Sequence, residues 1–114
     1  MKKRISVILP SNVTKEIRER MLKEGYTLRD KSKWVSEAIE NFLKLKEFHG
    51  LVEIAELVDD LANTETIYIT PELADTLEDA IIEVRVKYPA LEGVKSLIVR
   101  ASIIRRLVIL VKQK

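Results

Sequence analysis

"RISVILPSNVTKEI", residues 4–17, and "TIYITPELADTL", residues 66–77, decide the fold, because each is a short alternating strand that runs straight into a helix. In the first, Ile5, Val7 and Leu9 alternate with Arg4, Ser6 and Ile8, so one face of the strand is aliphatic and the other mostly polar. Pro10, Ser11 and Asn12 follow as a helix start, Pro by its fixed φ and Ser or Asn as a cap for free amides. In the second, Ile67 and Ile69 share one face, while Thr66, Tyr68 and Thr70 share the other. Thr70 is then placed as the cap, Pro71 as the first helical residue and Glu72 in the first turn. "LPSNVTKEI" (9–17) overlies "ITPELADTL" (69–77) at a fixed offset, a repeat of pattern rather than of identity.

Each start leads into more helix. Val13, Ile17, Met21 and Leu22 form an apolar stripe that Gly25 is placed to end. A second helix is expected from near Ser32, with Val35, Ala38, Ile39, Phe42 and Leu43 on its inner side and Gly50 as its break. "LVEIAELVDDLAN" (51–63) reads as an amphipathic bridge that stops near Asn63. After the second strand, Leu73, Leu77, Ala80, Ile81 and Val84 carry the stripe to Tyr88-Pro89, and a last helix fills "VKSLIVRASIIRRLVILVKQK". Its Ile103, Ile104, Leu107, Val108, Ile109, Leu110 and Val111 cover more than one face, which suits a core helix with a share in a chain–chain contact. The order is strand–helix–helix, bridge, strand–helix–helix, in units 1–46, 47–63 and 64–114 that together suit one compact pseudo-symmetric body.

Composition narrows the chemistry. The 114 residues suit one compact domain or two very small ones, and 46% hydrophobic with 5% aromatic residues means an Ile/Leu/Val core. There is no cysteine, hence no disulfide framework and no thiolate chemistry. Neither a signal peptide nor a membrane-length apolar run is apparent, so a soluble, cytoplasmic protein is expected. The 33% charged residues also suit a thermophile. Net charge is +2, but residues 1–33 hold ten Lys/Arg against four acids, residues 34–92 four against fourteen, and residues 93–114 six against none. Basic ends around an acidic middle suit a nucleic-acid face, or equally an ordinary solvated surface.

A lone short strand leaves its backbone groups unpaired. Two such strands paired antiparallel, each backed by helices, satisfy one another and leave one face open, and the DNA major groove admits such a ribbon. On "KKRISVILPSNV" (2–13) and "KSKWVSEAIENFL" (31–43), and more loosely on "TIYITPELADTL" (66–77) and "KSLIVRASIIRRL" (95–107), the chain resembles the ribbon-helix-helix family of DNA-binding regulators, the Arc/MetJ/CopG superfamily. The fold implied is mainly α with a two-stranded antiparallel β-ribbon, in a tandem version with both motifs in one chain. Tandem members are known in that family, some of them regulators carried by plasmids and archaeal viruses.

The resemblance implies double-stranded DNA as partner and a repressor-like role in transcription regulation. Its base-reading positions fall on Arg4, Ser6 and Ile8 in the first repeat and on Thr64, Thr66 and Tyr68 in the second. Arg4 suits guanine O6/N7, Ser6 and the threonines suit several bases, and Ile8 suits either a thymine methyl or burial in a covered strand. The second repeat departs from the pattern: its ribbon strand carries no basic residue, and Glu65 lies on it. The family's phosphate anchor, the N-terminus of the second helix, falls on Lys31, Ser32 and Lys33 and again on Val94, Lys95 and Ser96, with capping as the plain role of Ser32. Lys2 and Lys3 add non-specific phosphate attraction. Trp34 is expected in the core.

An intramolecular ribbon makes the protein a pseudo-dimeric monomer with an asymmetric site, whereas pairing of first repeats across two chains makes a homodimer that favours a palindrome. The rival reading is an antitoxin-like module that binds a protein through the acidic middle. An enzyme is not expected. The lone histidine, His49, has no partner at motif spacing, Asp59 and Asp60 point to different sides of a helix, and the three glycines are isolated. No cofactor, metal or small-molecule substrate is implied, and no membrane.

Overall fold

A computed structural model describes the backbone of residues 1–112 and all their side chains except those of Ile54 and residues 109–112. Strand β1 (Lys3–Pro10) leads into α1 (Ser11–Lys23). A 3₁₀ turn (Leu28–Asp30) precedes α2 (Lys31–Leu43), which is followed by the short α3 (Phe48–Ala55). Strand β2 (Leu61–Ile69) leads into α4 (Pro71–Lys87) and then α5 (Val94–Lys112). The fold is therefore mainly helical, with one two-stranded antiparallel sheet made by β1 and β2.

The sheet buries one face. Ile5, Val7, Leu9, Ile67 and Ile69 are all turned inward, as their alternation requires, and join the apolar sides of every helix in one core. From α1 come Ile17 and Met21, and from α2 come Trp34, Val35, Ala38, Ile39 and Phe42. Helix α4 adds Leu73, Leu77, Ala80, Ile81 and Val84. Helix α5 runs through the middle, packing on α2, α3, α4 and β1, with Leu97, Ile98, Ala101, Ile103 and Leu107 buried. Trp34 is fully buried, as expected of a large aromatic at this position.

Caps and stops follow the residues. Thr70 Oγ1 accepts from Leu73 N (3.2 Å) with Pro71 in the first turn, so α4 opens as its sequence requires. Gly25, at φ 88°, ends α1: Tyr26 N donates to Met21 O and Gly25 N to Leu22 O, the paired closure that a left-handed residue permits. The start of α1 differs from expectation, because Pro10 is the cap position and neither Ser11 nor Asn12 makes a capping bond there. Before α2, the Asp30 carboxylate accepts from Thr27 N (2.8 Å) and Thr27 Oγ1 (3.0 Å).

Two boundaries move. The break in the second helix falls at residues 44–47, so Gly50 lies within α3 rather than ending α2. The bridge expected to stop near Asn63 ends at Ala55, and Asp59 and Asp60 lie in the connection to β2 with Asp60 at φ 60°. Strand pairing is the reason: β1 is eight residues long, and Leu9 and Pro10 take Asn63 and Leu61 as partners, which draws those residues out of a helix. Leu22, placed on the inner stripe, is exposed instead, since Ile17 and Met21 already complete that contact. In the last helix Ile103 and Leu107 are core, Ile104 is half-buried and Val108 is exposed, while the side chains of Ile109, Leu110 and Val111 lie outside the described residues.

Candidate nucleic-acid interface

Alternation sends the other half of each strand to the opposite face. Across the ribbon Arg4 faces Tyr68, Ser6 faces Thr66 and Ile8 faces Thr64. Arg4, Ser6, Ile8, Thr64 and Tyr68 are exposed and Thr66 is half-exposed, so the expected reading residues form one outward surface. Ile8, for which burial was the competing expectation, is 44% exposed. Ser6 Oγ and Thr66 Oγ1 are 3.4 Å apart at the centre. At one end lie Arg4 and Tyr68, a cation beside a phenol, and at the other lie Ile8 and Thr64.

Glu65 is turned away from this surface. It lies opposite Val7 on the inner side, where its carboxylate is mostly buried and meets Lys31 Nζ at 2.6 Å. The acid that marked the second strand as different thus puts no charge on the outward face. Lys31 is tied to it and is held back from the helix start, whereas Lys33 stays exposed, 5.9 Å above the Tyr26 ring. Ser32 Oγ accepts from Tyr68 N (3.0 Å), which fastens the N-terminus of α2 to the edge of β2. On the other edge Arg100 Nε donates to Ile8 O (3.0 Å). Each contact satisfies a backbone group turned away from the partner strand.

At the start of α5, Val94 is buried, Ser96 half-buried and Lys95 exposed. A depression of about 300 Å³ brings Lys95 together with Lys3 and Arg4, and Asp75 and Glu78 share its wall. Lys2 and Lys3 are exposed at the same end of the ribbon. The basic corner is therefore Lys2, Lys3, Arg4 and Lys95, moderated by two carboxylates.

Two arginines were not singled out from sequence. Arg100 sits on the apolar side of α5, and burial pushes its guanidinium below its ordinary value. The signal was a charged residue at helical spacing between Leu97 and Ile103. Arg106 joins three helices: Nη2 donates to Glu24 Oε1 (2.7 Å) and Tyr26 Oη (3.3 Å), and Nη1 to Trp34 O (2.7 Å) and Glu37 Oε1 (3.4 Å). Its Cζ lies 4.4 Å from the centre of the Trp34 ring, whose Nε1 also donates to Glu24. Burial opposes the charge of Arg106, but hydrogen bonds to Tyr26 and Glu24 outweigh it and hold the guanidinium above its ordinary value. This network gives Trp34 a structural post in the core.

His49 is buried against Phe48, with ring centres 3.9 Å apart, and its Nε2 is 3.6 Å from Glu83. Among the described residues, no cluster of three His, Asp or Glu side chains is placed to hold a metal ion, and no helix is long and apolar enough to cross a membrane. Comparison with known proteins returns nothing: no family model, no curated protein and no solved structure matches the chain.

Proposed function

We propose that the chain is a tandem ribbon-helix-helix DNA-binding regulator that reads the major groove of double-stranded DNA with its ribbon. One observation carries the reading: Arg4, Ser6, Ile8, Thr64, Thr66 and Tyr68 converge on one outward face of a two-stranded ribbon whose other face is core. A ribbon fits that groove, and base edges there accept from an arginine, exchange hydrogen bonds with hydroxyls and offer thymine methyls to apolar groups.

The register supports the tandem view. Adding sixty to a β1 position gives its counterpart on β2, and Ser6 pairs with its own counterpart, Thr66, which is the pairing that a local two-fold axis through the ribbon would require. Ile8 and Tyr68 are counterparts as well, and each is fastened through its backbone by a helix of the opposite pair side, Arg100 of α5 and Ser32 of α2. The ribbon needs no second chain, which favours a pseudo-dimeric monomer with an asymmetric binding site. Lys33, Lys95 and the amides that open α2 and α5 supply phosphate contacts on either side, with Ser32 and Lys31 holding α2 in place. Lys2 and Lys3 add phosphate attraction at the Arg4 end.

Fluorescence anisotropy with DNA from upstream of the chain's own gene, against scrambled DNA and over a salt series, tests the reading. Tighter binding to the upstream DNA that weakens steeply with salt is expected. Arg4→Ala should then cost about 1–3 kcal/mol on the preferred sequence, whereas Lys3→Ala should weaken both DNAs alike and lower the salt slope by about one unit. No binding to either DNA at low salt would overturn the proposal.

A further inference from the structure

The two ends of the ribbon's outward face do not match. At one end Arg4 faces Tyr68, and at the other Ile8 faces Thr64, with Ser6 and Thr66 between them. All four end residues are exposed, Ile8 at 44% and Tyr68 at 49%. Under the sixty-residue offset Arg4 corresponds to Thr64 and Ile8 to Tyr68, so the same two places recur at both ends. Their occupants differ: one end carries a guanidinium and a phenol, the other two methyl-bearing side chains. Among the described residues no carboxylate forms an ion pair with Arg4, so its guanidinium is free to bind elsewhere. Charge beyond each end differs in the same sense. Lys2 and Lys3 are exposed next to Arg4, whereas beyond Thr64 the chain runs back to exposed Asp59 and Asp60.

Base edges answer these groups differently. A guanidinium forks onto O6 and N7 of guanine, whereas apolar groups meet the methyl of thymine. An antiparallel strand rises about 3.4 Å per residue, close to the rise of one base pair. Arg4 and Ile8 therefore stand about four base pairs apart along the groove. We infer that the DNA target is polar, with a G·C pair at the Arg4 end and a T·A pair about four base pairs away at the end of Ile8 and Thr64. The centre, under the paired hydroxyls of Ser6 and Thr66, is read less strictly, because a hydroxyl donates or accepts. This polarity rests on the DNA reading and adds to it an order of bases and a direction, so that the protein sits on its site one way round. Arg4 and Ile8 are the specificity-determining residues, and Thr64 is the place whose occupant keeps the second end from matching the first.

Selection by the full chain from a library of duplexes with a randomised core gives the first test. The enriched site should be non-palindromic, with guanine and thymine at that spacing. On the enriched duplex, exchanging the G·C pair should weaken binding roughly 5- to 150-fold, read by fluorescence anisotropy. Arg4→Thr should remove that preference and leave the preference at the thymine end in place. A copied end gives the second test. Ile8→Tyr with Thr64→Arg repeats the first end at the second, at exposed positions that leave the core untouched. This variant should select a palindrome with a G·C pair at both ends and prefer it to the wild-type site by a similar factor. Enrichment of no duplex at low salt would sink the DNA reading and the polarity with it. Three outcomes overturn the polarity alone: a palindromic wild-type site, a guanine preference that Arg4→Thr leaves intact, or a double variant that still selects the wild-type site.

Discussion

Arg100 shows what a single buried cation does for an edge. Its guanidinium holds the Ile8 carbonyl, which the partner strand does not take, so removing it leaves a part-buried acceptor without its donor. Arg100→Met keeps most of the volume and should cost about 1–3 kcal/mol, read by urea denaturation. Arg106→Met should cost more, about 3 kcal/mol, because it strands the Glu24 carboxylate among buried groups; both side chains keep some exposure, which sets the figure at the low end for such pairs. Asp30 sets a pH effect of known sign. The amide of Thr27, then its hydroxyl, hold the Asp30 carboxyl below its ordinary value of 3.8. Its contribution is therefore present above that value and lost as pH falls through the lower folded one. Asp30→Asn should flatten the acid limb of a thermal-melting profile and leave the neutral region nearly level. None of these roles was legible from the residues alone. Arg100 and Arg106 looked like surface charge in a basic tail until the path of α5 through the core was known.

At the scale of elements, alternation and capping residues were enough to place β1, α1, α4 and the outward face of the ribbon. The pattern Arg4, Ser6, Ile8 needs only a period of two, and Thr70-Pro71-Glu72 is a local signal that tertiary packing did not override. The stretch 56–63 was misread because its leucines and valine keep helical spacing, whereas its conformation is decided by β1, about fifty residues earlier, whose backbone groups need partners. The ion pair of Glu65 was not legible for a related reason: alternation sets its side of the strand, but its partner Lys31 comes from another element. The turn before β2 depends on Asp60 in the left-handed region, where a β-branched side chain is strained. Asp60→Val should therefore cost about 1–2 kcal/mol, and Asp60→Gly should be neutral or slightly stabilising, both read by thermal denaturation.

For the molecule as a whole, the register makes each strand the condition of the other. A fragment of residues 1–46 lacks β2 and α5, so Ile5, Val7, Leu9 and Trp34 lose their cover. It should show little helix by far-UV circular dichroism when dilute, and any helix it gains should rise with concentration as two fragments pair their β1 strands. Helix that is full and independent of concentration would mean that the first half carries its own core. During synthesis the same dependence becomes a matter of time. Ser6 meets a residue sixty positions later, and at about 5–20 residues per second the ribosome takes roughly 3–12 seconds to deliver it. Through that interval β1 is a bare apolar edge on a nascent chain, and the strand most exposed to mispairing is the one that bears the ribbon's only arginine.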